Sequence, residues 1–220
     1  MMSSKPVLGY WDIRGLAQPI KLLLAYTGTE YQDKRFPCGP GPEFDRSEWF
    51  DNKFSFGLDF ANLPYYIDGD IKLSQSNAIL RYIARKHDML GKNDKEKAMV
   101  DMMAEESMDM RNAWIGLCYN PNFDNLKEGY LNNLGPKMQQ FSKFLGSKPW
   151  FAGQSLTFVD FVMYELLDIH QLLVPNCIMN YPNLEKFQER FEKLPKIAAY
   201  MKSPQFMKAP LNNKMAKFGQ

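Results

Sequence analysis

The chain has 220 residues, 45% hydrophobic and 24% charged, with a formal net charge of +2 at pH 7. That balance excludes a disordered or fibrous chain, gives no electrostatic footprint for nucleic-acid binding, and is long enough for one large domain or two small ones. Three cysteines (Cys38, Cys118, Cys177) and two histidines (His87, His170) are too scattered for a disulfide framework or a structural metal site, so free thiols and no metal are expected. Residues 1–5 are followed by no signal-like apolar core. No segment approaches the roughly 18 unbroken apolar residues of a membrane helix, so the expected location is cytoplasmic, with no membrane partner.

From 7 to 86 the segments are short and mixed in type. Val7-Leu8-Gly9 predicts a strand, and Leu16, Ile20, Leu23, Leu24 and Thr27 keep helical spacing until Gly28 supplies a stop. Pro19 falls in the first turn, where its missing N–H costs little. Residues 31–36 alternate as a second strand, and the helix between makes a βαβ unit that favours parallel pairing. Pro37-Cys38-Gly39-Pro40-Gly41-Pro42 can continue neither ladder nor helix. Asp45-Arg46-Ser47-Glu48 has the spacing of a capping box before a short helix carrying Trp49 and Phe50. Residues 64–67 and 71–73 flank Asp68-Gly69-Asp70, which is hairpin chemistry for antiparallel strands. Ser74-Gln75-Ser76-Asn77 then offers hydroxyl and amide caps to a helix that buries Ile79, Leu80, Ile83 and Ala84. The order β-α-β-α-β-β-α is what a small thioredoxin-like sheet needs.

Gly91-Lys92-Asn93-Asp94 is turn-rich, and every periodic segment after it is helical. Long helices are predicted over 95–118 and 125–145, the second kinked or broken at Gly135-Pro136. Thr157-Phe158-Val159-Asp160 opens a strongly apolar helix to Leu173 with a capping-box pattern, and shorter helices follow over 184–194 and 196–201. No internal repeat is present, which excludes a solenoid or propeller. The expected architecture is an α/β N-terminal thioredoxin-like domain over residues 5–87 followed by an all-α helical domain over residues 94–220.

A thioredoxin-like unit raises the question of redox chemistry, which needs C-x-x-C at the end of the first strand. That place is held by Tyr10-Trp11-Asp12-Ile13, so any thiol must come from the ligand. A tyrosine hydroxyl can donate a hydrogen bond to a thiolate and favour its ionised form. Leu63-Pro64 stands where an extended segment enters the hairpin, so Leu63 can present its backbone to a peptide-like ligand. Gln75-Ser76 at a helix start offers N–H groups and a hydroxyl to a carboxylate. Trp49 and Lys53, four apart, add an indole donor and a cation. Each feature alone has a plainer reading: Tyr10 as a packed ring with a wetted hydroxyl, Pro64 as an ordinary strand start, Ser76 as an N-cap, Lys53 as a solvated cation. Together they describe an anionic, thiol-bearing short peptide, and that ligand is glutathione.

With these residues in place the chain resembles the mu class of cytosolic glutathione transferases from about residue 6 to 217. The resemblance is carried by LGYWDIRGLA (8–17), the Pro-rich insertion before Asp45-Arg46-Ser47-Glu48-Trp49, GLDFANLPY (57–65), QSNAILRYIARKH (75–87), CYNP (118–121), PWFAG (149–153) and TFVDF (157–161). It implies that the Tyr10 hydroxyl stabilises the glutathione thiolate and that Trp11, Arg46, Trp49, Lys53, Asn62, Leu63, Gln75 and Ser76 hold the tripeptide. Trp49 and Lys53 would take the glycyl carboxylate and Gln75 and Ser76 the γ-glutamyl end, with Leu63 pairing to the cysteinyl unit ahead of a cis Pro64. Asp109 matches a position that reaches the γ-glutamyl amine of the neighbouring subunit.

The resemblance also implies a homodimer, with Phe60 as an aromatic key between the partner's helices and Arg81 as an interface arginine. Ile13, Leu16, Met108, Arg111, Ile115, Tyr119 and Asn212 match the electrophile pocket. Arg111 stands where several mu enzymes carry a smaller or neutral side chain, and Asn212 where an aromatic or apolar residue is common. The implied activity is conjugation of glutathione to apolar electrophiles in detoxification, with glutathione as co-substrate and no other cofactor. Sequestration of apolar compounds at a dimer cleft, with Arg111 favouring anionic ones, a disabled structural relative, and an isomerase using the same thiolate are the alternatives.

Overall fold

The computed structural model describes residues 5–220. Four strands, β1 (Val7–Trp11), β2 (Gln32–Phe36), β3 (Tyr65–Asp68) and β4 (Ile71–Ser74), form one sheet in the order β2-β1-β3-β4. β1 runs parallel to β2, as the βαβ crossover requires, and antiparallel to β3, which pairs with β4 through the hairpin at Gly69. β1 is therefore central, and its exit carries Tyr10 and Trp11. Gly9 lies opposite Tyr65, and a side chain there would collide with the tyrosine ring, its Cβ 2.1 Å from Cε1. The glycine thus lets the Tyr65 ring pack directly on the central strand, beside Trp49, Phe36 and Phe56.

Helices α1 (Gln18–Thr27) and α3 (Ser76–Lys86) pack together, while α2 (Ser47–Phe50) brings Trp49 to the aromatic group. The second half is helical: α4 (Asp94–Cys118), α5 (Phe123–Leu145), α6 (Phe158–Leu173), α7 (Pro182–Glu192) and α8 (Pro195–Lys202). α6 is buried nearly all round and contacts α1, α3 and α4, so the two halves share one core around it. Residues after α8 return to the sheet. Arg14 N–H donates to the Pro210 carbonyl at 2.9 Å, Gly15 N–H to that of Leu211 at 3.2 Å, and Lys217 N–H to that of Cys118 at 2.7 Å.

Three local expectations are corrected. The Asp45-to-Glu48 stretch is not a capping box: Asp45 accepts the Ser47 N–H at 2.9 Å, and Glu48 turns outward to Lys34 at 2.6 Å. The helix begins at Ser47 with Arg46 as its N-cap, so Asp45 and Glu48 stand one residue out of register for the N-cap and N3 positions the box needs. At α3 no side chain of the 74–77 stretch caps the helix; Gln75 is the N-cap with φ +71°, and the Asn77 amide crosses to the Ala104 carbonyl of α4 at 3.2 Å. α5 runs without a break through Pro136, and the Tyr181 hydroxyl donates to the Gly135 carbonyl at 3.1 Å. The box at α6 is present: Asp160 accepts from the Thr157 N–H at 2.8 Å, the Thr157 hydroxyl at 3.1 Å and the Phe151 N–H at 2.8 Å. Cys38, Cys118 and Cys177 are free thiols, and no helix among the described residues is long and apolar enough to cross a membrane.

Candidate active site

Alternation along β1 sends Leu8 and Tyr10 to one face and Gly9 and Trp11 to the other. The Tyr10 side chain is 6% exposed, and its hydroxyl oxygen accepts the Leu16 N–H at 3.0 Å. Among the described residues that hydroxyl donates to nothing. Burial pushes the Tyr10 pKa up, against smaller downward effects of the Leu16 bond and the Arg111 cation. The O–H is therefore protonated at neutral pH and free to act as a donor. Gly15 makes the approach possible: it sits at φ +42°, and a Cβ there would lie 2.5 Å from the Tyr10 hydroxyl oxygen.

In front of Tyr10 is an open cleft of about 300 Å³. The strand exit contributes Trp11, Ile13 and Leu16, the loop before α2 contributes Arg46, and the C-terminal tail contributes Asn212 and Asn213. α4 and its C-cap supply Arg111, Ile115 and Tyr119, whose four-residue spacing puts them on one helix face. The Tyr119 hydroxyl oxygen accepts the Asn213 N–H at 2.8 Å, and burial pushes its pKa up to about 12. Asn212 is turned into the tail, its amide donating to the Phe218 carbonyl at 2.9 Å. The buried Arg111 donates through Nη2 to the Gly15 carbonyl. Six of the seven residues expected in the electrophile pocket thus line this cleft. Met108 does not; it lines an adjoining void of about 20 Å³ with Ser76 and Glu165, and Leu16 and Arg111 form the wall shared with the cleft. Seven residues before Ile115, it lies about 10 Å further along the helix.

Leu63, Gln75 and Ser76 stand at the end of the sheet where β1 and β4 run out and β3 begins, and Trp49 packs on Phe36 and Tyr65 there. Trp49 is buried edge-on to Phe36, at 5.3 Å between centroids, and stacked near Tyr65 at 6.1 Å. Lys53 and Arg46 hold their cations over the Phe50 ring, both at 5.2 Å. Leu63-Pro64 is a cis peptide, and the Leu63 N–H is held by the Asn62 side chain at 2.9 Å. Gln75 is exposed, in the left-handed region a glutamine rarely adopts, and Ser76 is the buried first residue of α3. Asp109 stands on the exposed side of α4. Phe60 is 77% exposed. Arg81 is engaged within its own chain, with Asp101 at 3.2 Å, Glu105 at 2.7 Å and the Phe158 ring beneath it.

Two features of the site had no mark in the sequence. Arg14 is buried and forks onto Glu165 (2.5 Å) and Asp168 (2.7 Å) of α6, pinning the strand exit to the helical half. Its partners are about 150 residues away, and no local spacing announces such a pair. The second is the contact of Arg111 with the Gly15 carbonyl, which joins two segments 96 residues apart. A glycine two residues beyond Ile13 was the only available hint that backbone comes close there.

Comparison with known proteins fits this geometry. The family model for the glutathione S-transferase N-terminal domain matches residues 6–85, and that for the glutathione S-transferase C-terminal domain matches residues 108–204. The chain is 54% identical to mouse glutathione S-transferase Mu 5 over 219 residues, covering 100% of this chain and 98% of that protein. It is 54% identical to human glutathione S-transferase Mu 3, covering 98% and 96%. Among solved structures, glutathione S-transferase Blo t 8 superposes with a TM-score of 0.89 at 32% identity, over 97% of this chain and 100% of that one. The pi-class glutathione S-transferase of Onchocerca volvulus gives 0.85 at 29%, over 97% and 100%. The chain belongs to the glutathione S-transferase family, in its mu class.

Proposed function

We propose that the cleft holds glutathione as its thiolate beside Tyr10 and directs the sulfur at apolar electrophiles bound against Ile13, Leu16, Ile115 and Tyr119. The observation that carries this reading is the Tyr10 hydroxyl: protonated, oriented by the Leu16 N–H, and with its donor uncommitted among the described residues. A donor aimed at a sulfur favours the ionised thiol, whose proton passes to solvent. The thiolate then forms a C–S bond while the leaving group departs with its electron pair, or the electron pair moves onto an activated acceptor carbon. Orientation of sulfur and electrophile side by side in one cleft supplies the rest of the acceleration. Trp49, Lys53 and Arg46 offer donors and cations at the glycyl end, and Gln75 and Ser76 at the γ-glutamyl end. Asn62 would release the Leu63 N–H when the cysteinyl backbone arrives. Glutathione supplies the nucleophile, so this chemistry calls for no other cofactor, and we place it in detoxification in the reducing cytoplasm. The test is calorimetric titration with glutathione together with steady-state turnover on a panel of aryl halides, epoxides and enones. Saturable binding and turnover of at least one class are expected; the absence of both would refute the reading.

The working unit is, in this reading, a homodimer in which Asp109 reaches the neighbour's site. A phenylalanine as exposed as Phe60 on a loop beside the sheet suits a key inserted into a partner. Phe60→Ser is expected to shift the sedimentation profile from dimer towards monomer; an unchanged profile would remove Phe60 from that role.

A further inference from the structure

We propose that Arg111 is a positioning residue for the thiolate: it fixes and polarises the one peptide unit whose N–H bonds the Tyr10 hydroxyl. This rests on the reading that Tyr10 serves bound glutathione. The Gly15 carbonyl and the Leu16 N–H belong to the same planar peptide, with oxygen and hydrogen at opposite ends. Arg111 Nη2 donates to the oxygen end, and Tyr10 accepts from the hydrogen end at 3.0 Å. Arg111, a single peptide group and Tyr10 are thus joined in one line of hydrogen bonds, with the hydroxyl proton of Tyr10 as its free terminus.

A cation at a carbonyl draws charge along the peptide and makes its N–H a stronger donor, an effect of roughly 10–30% per bond in condensed phase. The stronger donor in turn draws charge from the phenolic oxygen and makes the O–H a better donor to sulfur. Both end residues are buried, so water screens the line little. Arg111 also restrains a segment that the glycine leaves soft. Gly15 occupies φ +42°, and its other attachment is its own N–H to the Leu211 carbonyl of the tail.

The charged and titratable groups whose fields reach this line are Glu165 from α6, Arg14 from the strand exit, Cys118 on α4 and Tyr130 from α5 around Arg111, and Tyr119 at the C-cap of α4 beside Tyr10. His170 lies further along α6 and is held neutral by burial. Burial opposes the Arg111 charge while Glu165 and Tyr10 support it, and an arginine keeps its proton throughout the range in which a thiol titrates. The simplest rival is a direct field of Arg111 on the sulfur, with no part played by the peptide or by Tyr10.

A four-protein cycle separates the two: parent, Arg111→Met, Tyr10→Phe and the double variant, each read by the pH midpoint of the ultraviolet thiolate absorbance of bound glutathione. Arg111→Met is expected to raise the midpoint by about 0.3–1 pH unit in the protein that has Tyr10, and to leave it nearly unchanged in the Tyr10→Phe background. Arg111→Lys, which keeps a cation with donors, restores most of the parent midpoint. Should Arg111→Met not fold, Arg111→Gln takes its place with the same expected direction. Equal shifts in both backgrounds would assign the effect to the direct field, and no shift in the Tyr10 background would remove Arg111 from any such role; either overturns the proposal. A parent protein whose bound thiol titrates like free glutathione would refute the Tyr10 reading itself and the proposal with it, and that result is visible before any variant is made.

Discussion

The Tyr10 hydroxyl is placed by neighbours that carry no chemistry of their own. Leu16 offers a backbone N–H, and Gly15 offers the absence of a side chain where the ring needs room. Gly15→Ala would set a Cβ within 2.5 Å of the hydroxyl oxygen and force alanine to φ +42°, so the ring or the loop must shift. Displacement of this order costs about 10²-fold in rate when it misplaces a reacting group. The variant is expected to fold, bind glutathione and lose kcat on that scale; unchanged kcat would show that the hydroxyl tolerates movement. At this scale the sequence was readable through what it lacked. A strand exit without cysteine pointed to Tyr10 and to a thiol on the ligand, whereas the Arg111 contact depends on a backbone carbonyl, which no residue letter encodes.

Among the elements, the caps divide according to how much of the surrounding structure they must satisfy. Around α2 and α3 residue types suited to capping are present, yet Glu48 turns to Lys34 and Asn77 to α4, and Asp45 alone serves a helix start, from one position ahead of the N-cap. A short or tertiary-held helix start is set by its neighbours rather than by its own cap. At α6 the cap is the tertiary contact. Asp160 is fully buried and receives three donors, one of them from Phe151 outside the helix, and burial pushes its carboxyl up to about 6. Asp160→Ala would strand those donors at the head of the helix around which both halves pack. A loss of roughly 2–4 kcal/mol in urea-unfolding stability is expected; a loss under about 0.5 kcal/mol, the size of an ordinary surface substitution, would contradict that role. β1, β2, the hairpin and the long helices were legible from alternation and helical spacing. Pro136 was not, because the sequence shows the missing N–H but not the helix that carries on around it.

On the scale of the whole molecule, α6 ties the halves together through buried polar groups as well as through its apolar faces. Arg14 reaches from the strand exit to Glu165, and His170 is buried against Trp114. A carbonyl can only accept, so His170 Nδ1 carries the proton given to the Leu166 carbonyl at 2.6 Å, and Nε2 accepts the Tyr130 hydroxyl at 2.6 Å. Burial lowers the His170 pKa from 6.5 to about 4. A base with a depressed folded pKa contributes stability that is complete above 6.5 and is lost as pH falls towards 4, because the unfolded chain takes up the proton first. The urea midpoint of the parent is therefore expected to fall between pH 6.5 and 4 more steeply than that of His170→Gln; parallel profiles would show that the histidine is not linked to folding. Such ties join residues far apart in sequence, which is why the two-part plan was visible in the chain while its fastening was not. In the proposed reading, a tyrosine at the end of the central strand activates a thiol that the ligand brings. The most direct test of that reading is kcat for conjugation in Tyr10→Phe beside the parent at neutral pH and saturating glutathione. A fall of about 10²-fold or more with nearly unchanged glutathione affinity is predicted, and an unchanged kcat would contradict it.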